Sequence, residues 1–131
     1  MKFVCLGHME AGRFEEMSER ERNAFVDGCL AYDDVLRKNG HFIGGEALQP
    51  ATTAVTLRFG NGKVSSVDGP FAETKEQVGG IMILEADNLE HAIELMSRHP
   101  GVREGSGFEI RPAADLSGMI RESERRRSRT G

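Results

Sequence analysis

Hydrophobic positions along the chain follow two different periods, and the switches between them predict its elements. Phe3-Val4-Cys5-Leu6 is a continuous apolar run, the pattern of a strand covered on both faces. Ser18-Glu19-Arg20-Glu21 then has the spacing of a capping box. Phe25, Gly28, Cys29, Tyr32, Val35 and Leu36 recur at three and four residues, which predicts a helix from Glu19 to Lys38. Asn39-Gly40 supplies its left-handed stop. A strand follows from His41 to Glu46, in which the paired Gly44 and Gly45 predict a bulge or a close approach by another group. From Thr52 to Phe59 the alternation is strict, with Val55, Leu57 and Phe59 on one side, the mark of a half-buried strand. Gly60-Asn61-Gly62 turns the chain, and Lys63 to Val67 returns as a hairpin partner. Ile81-Met82-Ile83-Leu84 is apolar at four successive positions, so this strand is central. Asp87 as N-cap with Glu90 opens a second helix striped by Leu89, Ala92, Ile93 and Met96, and Pro100-Gly101 marks its end. A last strand runs near Phe108-Glu109-Ile110-Arg111.

The order strand, helix, strand, hairpin, strand, helix, strand predicts an α+β, ferredoxin-like βαββαβ plan with a hairpin elaboration. Two helices cover only one face of such a sheet. Because two strands are apolar on both faces, the uncovered face calls for a second copy of the same sheet, a sheet-to-sheet homodimer of the dimeric α/β barrel type. The 131 residues leave room for one domain, with no apolar tract long enough to span a bilayer. The N-terminus turns polar at Gly7-His8, too early for a signal sequence, so a cytoplasmic location is expected. Cys5 and Cys29 sit where small buried thiols usually sit. The formal charge is -4, yet residues 121–131 hold five arginines against two glutamates, which leaves the body near -7. Such an acidic body argues against direct nucleic-acid binding. Residues 114–131 read as a basic, solvated C-terminal tail beyond a domain of residues 1–113.

The most unusual stretch is Asp68-Gly69-Pro70-Phe71-Ala72-Glu73-Thr74-Lys75-Glu76. Asp-Gly-Pro is turn chemistry, in which an Asp carboxylate accepts from the amides that follow. The sharper reading makes Asp68 a catalytic acid/base, with Glu73 and Lys75 held over a cavity at the sheet edge. The bland reading of Glu73, Lys75 and Glu76 is a solvated turn with local ion pairing. Glu46 is the other acidic ligand-binding candidate, because Gly44 and Gly45 leave room beside it. Of the four histidines, His91 and His99 read as surface or capping residues. His8, at the end of the first strand, and His41, at the start of the second, are better placed for a cleft, and His8 is a candidate ligand contact. No nucleophilic triad, phosphate-cradling loop or metal-ligand spacing is present, so neither cofactor nor metal is indicated.

This stretch resembles the DGPF branch of the YCII-related family. The match extends to Gly44-Gly45-Glu46-Ala47-Leu48-Gln49-Pro50, to Val78-Gly79-Gly80 and to Glu109-Ile110-Arg111-Pro112, and covers residues 1 to 113. The resemblance implies a ferredoxin-like protomer that dimerises through its sheets, mostly in bacteria, with an unestablished role for most members. It also implies an acid-base pair of a helix-one histidine with the motif aspartate. The aspartate carries over to Asp68, whereas the helix from Glu19 to Lys38 holds no histidine and reads Asp27-Gly28-Cys29-Leu30 where one is sought. Two functions follow as expectations. One is a small-molecule-binding accessory protein, which the resemblance links to sigma factors of the extracytoplasmic-function class. The other is a small dimeric lyase, isomerase or hydrolase using Asp68 on a small polar organic substrate.

Overall fold

The computed structural model describes residues 1–130. Its centre is a four-stranded antiparallel sheet in the order β2-β5-β1-β6, built from β1 (Lys2–Glu10), β2 (Phe42–Ala47), β5 (Glu76–Glu85) and β6 (Gly107–Pro112). With β3 (Val55–Gly60) and β4 (Lys63–Asp68) set aside as a separate two-stranded hairpin, this is the ferredoxin-like order. The apolar runs in β1 and β5 are the two central strands, as their patterns predict.

After the short α1 (Arg13–Glu16), α2 (Glu19–Lys38) begins at the capping box. The Glu21 amide donates to Ser18 Oγ at 3.1 Å, and the Ser18 amide donates to Glu21 Oε1 at 3.2 Å. Accepting from the Ser18 amide, and next from its hydroxyl, lowers the Glu21 carboxyl below its ordinary pKa. The helix stops at Asn39, and Gly40 takes φ 80°. α3 (Leu89–Met96) is capped by Asn88, whose Oδ1 accepts from the His91 amide at 2.9 Å, and not by Asp87. The Asp87 amide instead donates to His91 Nδ1.

α2 and α3 cover one face of the sheet. Phe3 and Cys5 of β1, Met82 and Leu84 of β5, Leu36 of α2 and Met96 of α3 form the buried core. Each large side chain removed from water there contributes roughly 1.5–3 kcal/mol. Burial pushes the Cys5 thiol up to about 11, so it is an inert packing group. No helix among the described residues is long and apolar enough to cross a membrane.

Three segments depart from the expected pattern. Ala51–Thr53 forms a 3-10 turn, so β3 starts only at Val55, and its apolar side is not half-buried: Leu57 is 69% and Phe59 75% exposed. Alternation marks a side of a strand, but no helix among the described residues covers that side. Pro100 does not close α3 but opens a further turn, α4 (Pro100–Arg103), at the first helical position. The C-terminal segment is a helix, α5 (Ser117–Thr130), with exposed side chains at Leu116, Met119 and Ile120. Gly131 of the predicted tail lies outside the described residues.

Candidate functional site

The uncovered sheet face is organised by a bulge. Gly7 pairs with Gly80, but the next residue, His8, pairs with Val78, so Gly79 is the extra residue in β5. Val4 and Leu6 therefore share the open face with Ile83 and Ile81, and beyond the bulge His8 shares it with Val78 and Glu76. On the other side of β1, Glu109 pairs with Leu6, and Gly107 pairs with His8. The outcome is a shallow groove of about 290 Å³ lined by His8, Glu76, Ser106, Phe108 and Glu109. The Ser106 amide donates to the His8 carbonyl at 3.0 Å, which fixes the groove's floor. The His8 imidazole has no hydrogen-bond partner among the described residues.

Of the five residues singled out from sequence, the register places two on this face. Glu46 pairs with Ile81 at the β2 edge, two residue steps from the level of His8. Phe42 pairs with Leu84 and Gly44 with Ile83, which is the predicted bulge. The room foreseen beside Glu46 is half taken: a Cβ on Gly45 would meet the Ile81 carbonyl oxygen at 2.8 Å, whereas one on Gly44 would meet nothing. Lys75 pairs loosely with Glu10 at 3.6 Å, and the Lys75 carbonyl accepts from the Ala11 amide.

Asp68 and Glu73 stand apart from the groove. Asp68 closes β4 opposite Val55, is exposed, and its carboxylate accepts no hydrogen bond. The turn reading of Asp68 is therefore corrected: the Gly69 amide donates to the Ala54 carbonyl, and Thr56 Oγ1 donates to the Gly69 carbonyl at 2.9 Å. Gly69 at φ 115° supplies the backbone reversal. Two organisers of the loop were not anticipated. Arg58 lies 4.5 Å over the Phe71 ring and donates to its carbonyl, and Gln77 Nε2 donates to the carbonyls of Ala72 and Thr74. Both sit on strand positions whose pattern marks only a polar side.

The fold also contains a histidine-aspartate pair in a different place. His99, read from sequence as a surface or capping residue, does cap but is only 4% exposed; its Nε2 lies 3.0 Å from Asp33 Oδ1 of α2, and its Nδ1 accepts from the Gly101 amide at 3.0 Å. Both ring nitrogens are thus taken, with the proton on Nε2. Phe108 packs edge-on at 4.9 Å, and the ring caps α4 as a structural strut. Cys29 beside it is pushed up to about 11 by burial and then by the Asp33 and Glu104 charges. Among the described residues no group of three or more metal-ligating side chains is arranged to hold an ion.

The chain is thus an α+β protomer of ferredoxin-like order with a shallow polar groove on its open sheet face. The YCII-related domain matches residues 1–116, and the chain belongs to that family. An uncharacterized protein of Rhizobium meliloti (strain 1021) is 38% identical over 68 residues, 51% of this chain, and the chain spans 55% of that relative's length. Among solved structures, 5-chloro-2-hydroxyhydroquinone dehydrochlorinase (TftG) from Burkholderia phenoliruptrix AC1100, in complex with 2,5-dihydroxybenzoquinone, superposes with a TM-score of 0.52. It is 16% identical, with 87% of this chain and 94% of that chain covered, a likeness of fold.

Proposed function

We propose that the protein binds a small polar organic molecule in the groove at the His8 end of its open sheet face. The observation that carries this reading is an imidazole without a protein partner among the described residues, lining one groove with the carboxylates of Glu76 and of Glu109, the latter 3.4 Å from Arg111 Nε. Imidazole both accepts and donates, and the two carboxylates accept hydrogen bonds from hydroxyls, so the chemistry suits an uncharged, hydroxyl-bearing ring better than an anion. The fold relative bound to 2,5-dihydroxybenzoquinone supports a ligand of this size. The test is a titration of the full chain with hydroquinone and with 2,5-dihydroxybenzoquinone, followed by the His8 ring proton resonances. His8→Gln is expected to weaken hydroquinone binding about tenfold or more, equal to about 1.4 kcal/mol. Unmoved His8 resonances with both probes, or equal affinity in His8→Gln, would overturn the reading.

A second reading is catalysis on such a molecule, with Asp68 as proton acceptor. It is favoured by the exposed Asp68 carboxylate, which accepts no bond, and by a fold relative that is a dehydrochlorinase. Asp68→Asn keeps the side chain's shape and removes its proton affinity, so it abolishes turnover while leaving binding intact if this reading holds. Association with a sigma factor rests on the family resemblance alone, and co-purification of the two chains tests it separately.

A further inference from the structure

α5 (Ser117–Thr130) begins where the family domain, residues 1–116, stops. Every residue from Arg111 to Arg129 except the half-buried Ser123 is exposed, so no side chain of this helix is buried against the body. A helix of this length is marginal in water on propensity alone. Its sequence adds a further cost: Arg121, Arg125 and Arg129 follow one another at four-residue steps, and like charges at that spacing repel. Arg121 and Arg125 line one side of the helix together with Ser128. Among the described residues, neither Glu122 nor Glu124 forms an ion pair with any of these three arginines.

We propose that α5 is a docking helix for the phosphate backbone of a nucleic-acid duplex. Charge is the first support. Residues 121–131 carry five arginines against two glutamates, whereas the rest of the chain is near -7. That acidic body argues against a binding face on the domain itself, and it leaves the helix as the one segment that attracts a polyanion. Spacing is the second support. Four helical residues rise about 6 Å, so the three arginines span about 12 Å, over which one strand of a duplex presents about three or four phosphates. A polyanion along this row also removes the repulsion that weakens the helix. All the cations of α5 are arginines, whose planar forks grip phosphate through two-point hydrogen bonds. Composition then selects among polyanions. No aromatic residue follows Phe108, so the helix offers no stacking platform for unpaired bases, and a double strand is the better partner. A bilayer fits less well: the exposed Leu116, Met119 and Ile120 are confined to the first turn, and their side continues as Ser123 and Arg127, joined by a 3.2 Å bond from Arg127 Nε to Ser123 Oγ. Contacts to phosphate position a protein without reading bases, so the binding is independent of sequence. The proposal goes beyond the His8 reading and does not depend on it.

The full chain is titrated into a fluorescently labelled DNA duplex of about 20 base pairs and mixed sequence, with anisotropy read from about 50 to about 200 mM NaCl. The wild type is expected to bind with a Kd below about 100 μM at the lowest salt, and log affinity is expected to fall against log salt with a slope of about -3. Arg121→Gln/Arg125→Gln/Arg129→Gln is expected to bind at least about tenfold more weakly, with a slope shallower by about 2, while melting as the wild type does. Arg20→Gln/Lys38→Gln/Arg103→Gln removes the same charge from exposed positions of the body and is expected to change affinity less than about threefold. Hydrogen exchange of the wild-type α5 amides needs no substitution, and their protection is expected to rise when the duplex is added. Absence of wild-type binding at the lowest salt, equal losses in the two triple variants, α5 amides left unprotected by the duplex, or tighter binding to phosphatidylglycerol-containing vesicles than to the duplex would each overturn the proposal.

Discussion

The four-stranded sheet and the β3–β4 hairpin are written in the same alphabet and end in opposite environments. Phe3 and Leu84 are fully buried under α2 and α3, whereas Leu57 and Phe59, on a strand with stricter alternation, face outward. Alternation specifies which residues share a side; a covering layer decides whether that side becomes core. The main sheet receives that layer from its own crossover helices, and the hairpin has none within the protomer.

The sharpest way to break this contrast is to truncate an aromatic in each region. In dilute denaturant titrations, Phe3→Ala is expected to cost about 3–5 kcal/mol and Phe59→Ala less than about 1 kcal/mol, since only the first leaves a cavity. Equal losses would show that the hairpin packs within one protomer. Next in size is Gly101→Ala, whose Cβ would lie 2.6 Å from Phe108 Cε2 and 3.2 Å from His99 Nδ1. Overpacking there is expected to cost about 1–3 kcal/mol, read by thermal melt.

A smaller effect sits at the α2 capping box, where Ser18→Ala is expected to cost about 1 kcal/mol. The folded Glu21 carboxyl titrates below its unfolded counterpart, so its stabilisation is present above the ordinary carboxylate pKa and is lost as pH falls through the lowered folded value. Glu21→Gln should flatten that acid limb, whereas Ser18→Ala keeps the backbone amide that lowers the carboxyl most and flattens it only in part, which a pH series of melts checks. Smallest of all is truncation after Asp115. α5 leaves Leu116, Met119 and Ile120 exposed, so the melting temperature is expected to move by no more than a few degrees.

Local and periodic features were legible in the sequence. The capping box, the Asn39-Gly40 stop, the central β5 run and the Gly44 bulge all depend on residues within a few positions of one another. Features joining distant segments were not. The His99 bond to Asp33 spans 66 residues, and nothing in the Arg98-His99-Pro100 context marks the histidine for burial. The His8 groove was half visible: His8 at a strand end suggested a cleft, but its neighbours Glu76 and Glu109 come from two other strands and meet it only through register.

That register hinges on Gly79. The extra residue works as a change of phase in β5: on one side of it even-numbered residues such as Met82 and Leu84 point to the helices, and on the other side Glu76 and Val78 point to the groove. If Gly79 instead took a regular place opposite His8, one phase would run along the whole strand, sending the Glu76 carboxylate toward the helix layer and Gln77 to the groove. The groove's chemistry is thus encoded in register as much as in residue identity, and a one-residue slip of this half of β5, with no change of side chain, would erase it.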